Sequence, residues 1–228
     1  MRVLAVDTSS ERGSVCVAVD GDVVGEIRLA SSEQYSERLF RSVEFLFEYL
    51  PFKLSDIDIF AAARGPGSFT GLRVGLAAMD AFVLAHLKRG SGVSTLEALA
   101  WKTGIHDVLI ASTIDARRGD IYGGVYSLRS GVAPADTLVE ERSPVVLKPA
   151  EWLAGLPRRP IVFCGDGAYK YRSLIEVEAQ WKIHRMDLYL ASTIADLAAM
   201  PNSGPLAPLY VRKTDAEIAL ESTGRPNS

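Results

Sequence analysis

Apolar residues at the start of the chain recur with the period of strands. Residues 2 to 6 (RVLAV) read as a buried strand that ends at Asp7, Asp7 to Gly13 is a polar turn, and residues 14 to 19 form a second strand. Asp20-Gly21-Asp22 is a tight hairpin turn into a third strand over residues 23 to 29. After a linker at Ser31 to Gln34 the period changes to that of a helix. From Ser36 to Leu50, Leu39, Phe40, Val43, Leu46, Phe47 and Leu50 share one stripe, and Pro51 ends it. Phe45 and Tyr49 lie off that stripe, so the predicted helix has surplus apolar surface. A buried strand over residues 56 to 63 then leads into Arg64-Gly-Pro-Gly-Ser-Phe-Thr-Gly-Leu-Arg-Val-Gly75.

Residues 71 to 87 read as a helix apolar nearly all round, with Arg73 and Asp80 as its charged side chains. One stripe is Leu72, Leu76, Met79, Val83 and Leu87, an ordinary core face. Another is Gly71, Gly75, Ala78 and Phe82, whose small residues would admit another helix closely. Such a helix is either enclosed by its own domain or completed by a partner. The turn before it places free N–H groups at a helix start, with Ser68 or Thr70 as N-cap. It lacks the lysine of a P-loop.

Near Gly104 the pattern restarts. Val108 to Ile114 is a strand, Asp115 to Asp120 a turn, and Ile121 to Leu128 the partner strand, a repeat of the opening hairpin. Thr95 to Lys102 is a short helix before it. Residues 129 to 143 read as loop, Val145 to Leu147 as a strand, and Pro149 to Leu156 as a helix with Pro at N1. Ile161 to Cys164 is a buried strand, Gly165-Asp166-Gly167 a turn, Ala168 to Val177 a helix, and a last helix runs from Ser192 to Met200. Beyond Val211 the chain turns polar and is expected to fray. The repetition predicts a duplicated α/β fold with lobes at 1–104 and 105–228.

Charge narrows the function. The 228 residues carry a net charge of −3 with no basic run, which argues against binding nucleic acid unaided and leaves RNA held jointly with a basic partner. Cys16 and Cys164 sit in apolar strands as small core residues, giving no disulfide framework. With no signal peptide and no uncharged apolar run of spanning length, a soluble cytoplasmic protein is expected.

The chain resembles the TsaB family over most of its length. The resemblance rests on Val3-Leu-Ala-Val-Asp7-Thr8-Ser9 with the strand after it and on the motif Arg64 to Gly75. Gly92 to Ala98, Asp115 to Tyr122, Gly165 to Ala168 and Pro208 to Arg212 add to it. It implies the actin-like ATPase (ASKHA, ribonuclease H-like) fold and a non-catalytic subunit of the machinery making N6-threonylcarbamoyladenosine at position 37 of tRNAs that read codons beginning with A. It further implies docking on a catalytic TsaD-like subunit through two N-lobe helices, with a TsaE-like ATPase joining and tRNA met only through the complex. The expected partner-binding residues are Tyr35, Leu39, Phe40, Phe45, Phe69, Gly71, Leu72, Arg73, Gly75, Ala78, Met79 and Phe82. The isolated chain is expected to form a homodimer through the same faces. Tyr35 stands where the family usually has histidine.

The alternative is an autonomous ATP-binding enzyme or a glycoprotease-like peptidase. Against the peptidase, His86, His106 and His184 lie in three segments without metal-ligand spacing, so no metal is expected. Ser68 lies in Gly-Ser-Phe-Thr-Gly, which departs from GxSxG. A nucleotide cleft has outlines in Asp7, Thr8, Ser9, Asp115, Gly165 and Gly167. No glycine follows Asp7, and Ala116, Arg117 and Arg118 crowd the second turn, so the cleft reads as vestigial. No cofactor is required, with weak nucleotide binding left open.

Overall fold

The structure, a computed structural model, describes residues 1–30, 35–130, 137–201 and 203–211, without the side chains of Tyr35 and Ser36. In chain order its elements are β1 (Arg2–Asp7), β2 (Arg12–Val19), β3 (Asp22–Ala30), α1 (Tyr35–Tyr49), β4 (Ile59–Gly65), α2 (Phe69–His86), β5 (Arg89–Ser94), α3 (Thr95–Lys102), β6 (Leu109–Asp115), β7 (Ile121–Arg129), β8 (Thr137–Leu147), α4 (Pro149–Ala154), β9 (Ile161–Cys164), α5 (Asp166–Lys170), α6 (Arg172–Ile175), β10 (Trp181–Ile183) and α7 (Ala191–Ala199).

They build two five-stranded sheets of one topology, β3-β2-β1-β4-β5 and β8-β7-β6-β9-β10. In each, the middle strand has an antiparallel hairpin on one side and two parallel strands on the other. The strand–aspartate–turn repeat of the sequence is thus a repeat of topology.

Alternation along each strand decides which layer a side chain joins. Leu4 and Val6 of β1 meet Leu39, Val43, Leu46, Leu76 and Met79 in an outer layer under α1 and α2. Val3 and Ala5 meet Leu96, Leu99, Ile194 and Ala198 in a middle layer of α3 and α7. In the second sheet Ile110 joins that same middle layer. Leu109 and Ala111 pack outward with Trp152, Leu153 and Ile175 of α4 and α6. Both sheets are covered on both faces, which is why their strands read as continuous apolar runs.

Several expectations change. Residues 137–147 are one long strand, although most of that stretch read as loop. Glu140, Glu141, Arg142 and Ser143 are exposed on this edge strand, so charge hides its period. The helix expected from Ala168 to Val177 breaks at Tyr171 into α5 and α6. The three-residue β10 gave no sequence signal.

The split at residue 104 also misplaces the last helix. α7 packs on β1, β2 and β4 of the first sheet, and the Ser14 hydroxyl accepts from the Ala191 N–H at 3.0 Å. Residues 203–209 follow it: Gly92 N–H donates to the Gly204 carbonyl at 2.9 Å, and Leu209 N–H to the Arg64 carbonyl at 2.7 Å. Helix α2 is, by length and composition alone, apolar enough to cross a membrane, with 33% of its window buried; the sequence reading had expected no such segment. The fraying expected of the tail after Val211 falls on residues 212–228, outside the described residues.

Candidate functional site

The glycine motif anchors α2 onto the turn after β1. Ser68 is the N-cap, its hydroxyl accepting from Gly71 N–H at 3.3 Å, and its own N–H donates to the Ser9 carbonyl at 2.6 Å. The Thr8 hydroxyl donates to the Gly71 carbonyl at 2.7 Å. A Cβ on Gly71 would overlap the Thr8 carbonyl oxygen, and one on Gly75 would overlap the Thr8 hydroxyl. The small-residue stripe therefore closes on a strand end of its own lobe.

This corrects half of the expected partner-binding set. Leu39, Gly71, Leu72, Gly75, Ala78 and Met79 are buried inside the first lobe. Phe82 is half-buried, its ring packed between Phe60 at 5.5 Å and Phe40 at 6.0 Å. Phe40, Phe45, Phe69 and Arg73 are exposed. Tyr35 starts α1, and its side chain lies outside the described residues.

The outward face of α2 is instead Phe69, Arg73, Ala77, Asp80 and Leu84, at intervals of three and four. The Arg73 guanidinium lies 3.9 Å above the Phe69 ring, and Tyr210 brings its ring to 6.1 Å from the same phenylalanine. On α1, Phe45 and Tyr49 pair at 5.1 Å. Leu84 is 69% exposed and Tyr49 75%, far more than large apolar groups usually show. The site list from sequence lacked Ala77, Leu84, Tyr49 and Tyr210. Turning the helical wheel so that Gly71 and Gly75 face inward finds Ala77 and Leu84. Tyr210 arrives from a distant segment and had no signal.

The cleft residues are held by the protein itself. Asp7 is fully buried at the end of β1, where one carboxylate oxygen accepts from Ser9 N–H at 2.9 Å and the other has no hydrogen-bond partner. Burial pushes its pKa up to about 6, against the pull of Ser9 and Lys102. Asp115 accepts from the Arg117 N–H at 3.1 Å and from the Lys170 ammonium at 2.7 Å. Its own N–H donates to Asp166, whose carboxyl burial raises. Between the two turns, Arg117 and Glu11 form an ion pair at 3.3 Å. Gly165 has φ +94°, and a Cβ there would overlap the Thr113 carbonyl; a Cβ on Gly167 would meet the Thr113–Ile114 backbone less closely, at 3.0 Å. These glycines are required by strand packing.

The other candidate groups are placed as follows. His86 stacks on Phe60 at 5.9 Å, and the His184 backbone N–H donates to the Phe163 carbonyl at 2.8 Å. Burial pushes the Cys16 and Cys164 thiols up to about 12, too high for a thiolate nucleophile. Among the described residues no three His, Cys, Asp or Glu side chains are gathered as a metal site.

The family description "TsaD: tRNA N6-adenosine threonylcarbamoyltransferase" matches residues 24–200. The Bacillus subtilis protein named tRNA threonylcarbamoyladenosine biosynthesis protein TsaB is 29% identical over 178 residues, 77% of this chain and 76% of its own. The Escherichia coli protein of that name is 38% identical over 130 residues, 55% of each chain. The chain belongs to the TsaB family. A solved Pseudomonas aeruginosa structure, described as an uncharacterized protein with similarity to peptidase YEAZ, superposes with a TM-score of 0.78 at 26% identity. The match covers 92% of this chain and 99% of that one. The two-lobed actin-like ATPase fold implied by the TsaB resemblance is the fold observed.

Proposed function

We propose that this TsaB-family chain is a non-catalytic scaffold subunit in the formation of N6-threonylcarbamoyladenosine at position 37 of tRNAs reading codons that begin with A. Its α1–α2 face docks a TsaD-like catalytic subunit, a TsaE-like ATPase joins that pair, and tRNA is met through the assembly. Alone, the chain pairs with a second copy through the same face, in the cytoplasm. The names of its relatives support the pathway. The observation that carries the docking role is the exposed strip of Phe40, Phe45, Tyr49, Phe69 and Leu84 on two adjacent helices. Aromatic anchors flanked by an arginine are the composition of interface hot spots.

The autonomous-enzyme alternative has less support. Thr8 and Ser9 are spent on the α2 anchor, and the Glu11–Arg117 pair and the Lys170–Asp115 pair draw on the cleft's own charges. Light scattering of the chain alone and mixed with its TsaD-like partner tests the reading. A self-dimer that gives way to a heterodimer, and loss of both in Leu84→Arg, is the expected result. A Leu84→Arg and Phe45→Glu double variant that still forms the heterodimer at parental affinity overturns it.

A further inference from the structure

Residues 203–211 follow α7 and lie along β5, the edge of the first sheet. The Gly92 N–H donates to the Gly204 carbonyl, and the Leu209 N–H to the Arg64 carbonyl at 2.7 Å. Between these two bonds Leu206 packs into the outer layer that holds Phe82 and Val83. The Pro205 carbonyl fills the space that a Cβ on Gly92 would need. Two backbone bonds and one apolar side chain thus seat this strap on its strand. Tyr210 comes directly after Leu209, so the strap sets its position.

That position is the start of α2. The Tyr210 ring lies 6.1 Å from that of Phe69, with the planes inclined by 36°. Arg73, one turn farther along α2, holds its guanidinium 3.9 Å from the centre of the Phe69 ring. The two rings are about half exposed, and Arg73 is exposed. Arg73 has no ion pair among the described residues. Asp80, the acidic group on the same outward face, stands two turns away, about 10 Å along the axis. The first turn of α2 holds no acidic residue, so the positive end of the helix dipole and an unpaired guanidinium stand together. The ring contact restricts the guanidinium without using its N–H donors, and a carboxylate accepts from two of these at once.

We propose that Tyr210, Phe69 and Arg73 form one anchor of the docking face, assembled by the C-terminal strap, and that it takes an acidic side chain of the TsaD-like partner. The carboxylate meets Arg73, and the apolar stem of that side chain lies on the two rings. The inference rests on the docking reading above, to which it adds a segment from the far end of the chain and the charge of the partner's contact. Tyrosine and arginine are residue types that carry most of the energy of an interface.

Titration calorimetry of the full chain with the TsaD-like partner tests it. Tyr210→Ala and Arg73→Gln should each weaken binding about tenfold or more. Asp80→Asn should bind as the parent does. Added salt should weaken the parent, and weaken Arg73→Gln less steeply, a difference that a merely structural role of Arg73 would not produce. The substituted side chains are exposed, so unfolding temperatures should match the parent. Should Tyr210→Ala loosen the strap and unfold earlier, Arg73→Gln decides alone. Parental affinity in Tyr210→Ala or Arg73→Gln, with loss in the Leu84→Arg and Phe45→Glu double variant, overturns the anchor and leaves the docking reading standing. Parental affinity in that double variant overturns the docking reading itself, whatever Tyr210→Ala does. Loss of self-association in Arg73→Gln and Asp80→Asn, read by light scattering, with partner binding unchanged, assigns Arg73 to a second copy of this chain and also overturns the proposal.

Discussion

Over the first sheet lie two helices of 15 and 18 residues; over the outer face of the second lie helices of six, five and four. The strand order beneath them is the same. The short layer covers its sheet with bulk: Trp152 of α4 packs on Phe163 with ring centroids at 6.2 Å, and Trp181 of β10 adds its ring to the same phenylalanine at 5.2 Å. The long layer covers its sheet with one stripe per helix, and each helix leaves further large apolar side chains facing outward, Phe45 and Tyr49 on α1 and Phe69 and Leu84 on α2. Duplication thus supplied two equal frames, and one outer layer was extended beyond what its own core requires. That surplus is where a binding role has to be sought.

The contrast breaks hardest at the buried stripe. Replacing Gly71 with Leu drives a side chain into the Thr8 carbonyl and should destabilise the protein by about 3 kcal/mol or more, the upper end of what overpacking costs. Gly75→Leu meets the Thr8 hydroxyl and should also unfold the lobe, so it cannot serve as a clean probe of partner contact. In the second lobe Trp152→Ala removes bulk and should cost about 3–5 kcal/mol. Urea denaturation reads all three. A Gly71→Leu protein with parental stability would mean that the stripe does not close on Thr8.

A gentler break separates surplus from cover. Leu84→Arg on α2 should leave the unfolding midpoint within about 0.5 kcal/mol of the parent, as surface changes do. It should still weaken the TsaD-like partner by about 2 kcal/mol or more. Val177→Arg, just past α6 and 83% exposed, should change neither. Equal loss of partner affinity in both variants, by titration calorimetry, would erase the distinction between the two outer layers.

The aspartate that ends the first strand of each lobe sharpens the comparison. Asp7 has a folded-state pKa near 6 against an ordinary 3.8, because it is buried. The folded protein therefore binds a proton that the unfolded chain releases. The stability linked to that proton is fully present below about pH 4 and is lost as pH rises through 6. The loss amounts to about 3 kcal/mol. Asp7→Asn should flatten stability between pH 4 and 6 and raise the denaturation midpoint at pH 7. Asp115, already paired with Lys170, should show a small effect on Asp115→Asn, under about 1 kcal/mol. A parental pH profile in Asp7→Asn would show that the carboxylate is solvated in solution.

Much of this was legible in the chain. Strand alternation and the aspartate repeat gave the duplicated fold, because both depend on local period and turn chemistry. The face of α2 was not legible, since Gly71, Gly75 and Ala78 suit a partner helix and a strand end equally. Only the position of Thr8, 63 residues away from Gly71, decides between them. The charged edge strand β8 lost its signal to solvent. The middle-layer place of α7 and the approach of Tyr210 to Phe69 depend on the chain returning to the first lobe, which no local pattern encodes. The nucleotide outline at Asp7, Asp115 and Gly165 was visible, but the role of Gly165 in packing on Thr113 needed coordinates.

The smallest expected effect concerns the Glu11–Arg117 ion pair, which links the two aspartate turns. Glu11 and Arg117 meet at 3.3 Å with side chains 69% and 75% exposed. In water such a pair gains little from Coulomb attraction and loses side-chain freedom, so its coupling should fall below about 1 kcal/mol. Salt should reduce it further, since the Debye length at about 1 M is only about 3 Å. A double-mutant cycle of Glu11→Ala and Arg117→Ala, read by urea denaturation at low and high salt, isolates the term. Arg117 has φ +60°, and alanine keeps the same Cβ strain there, so the backbone contribution cancels within the cycle. A coupling of several kcal/mol that survives high salt would make the pair a lock between the lobes. The weak coupling expected leaves the shared middle layer of α3 and α7 as what holds the duplicated halves together.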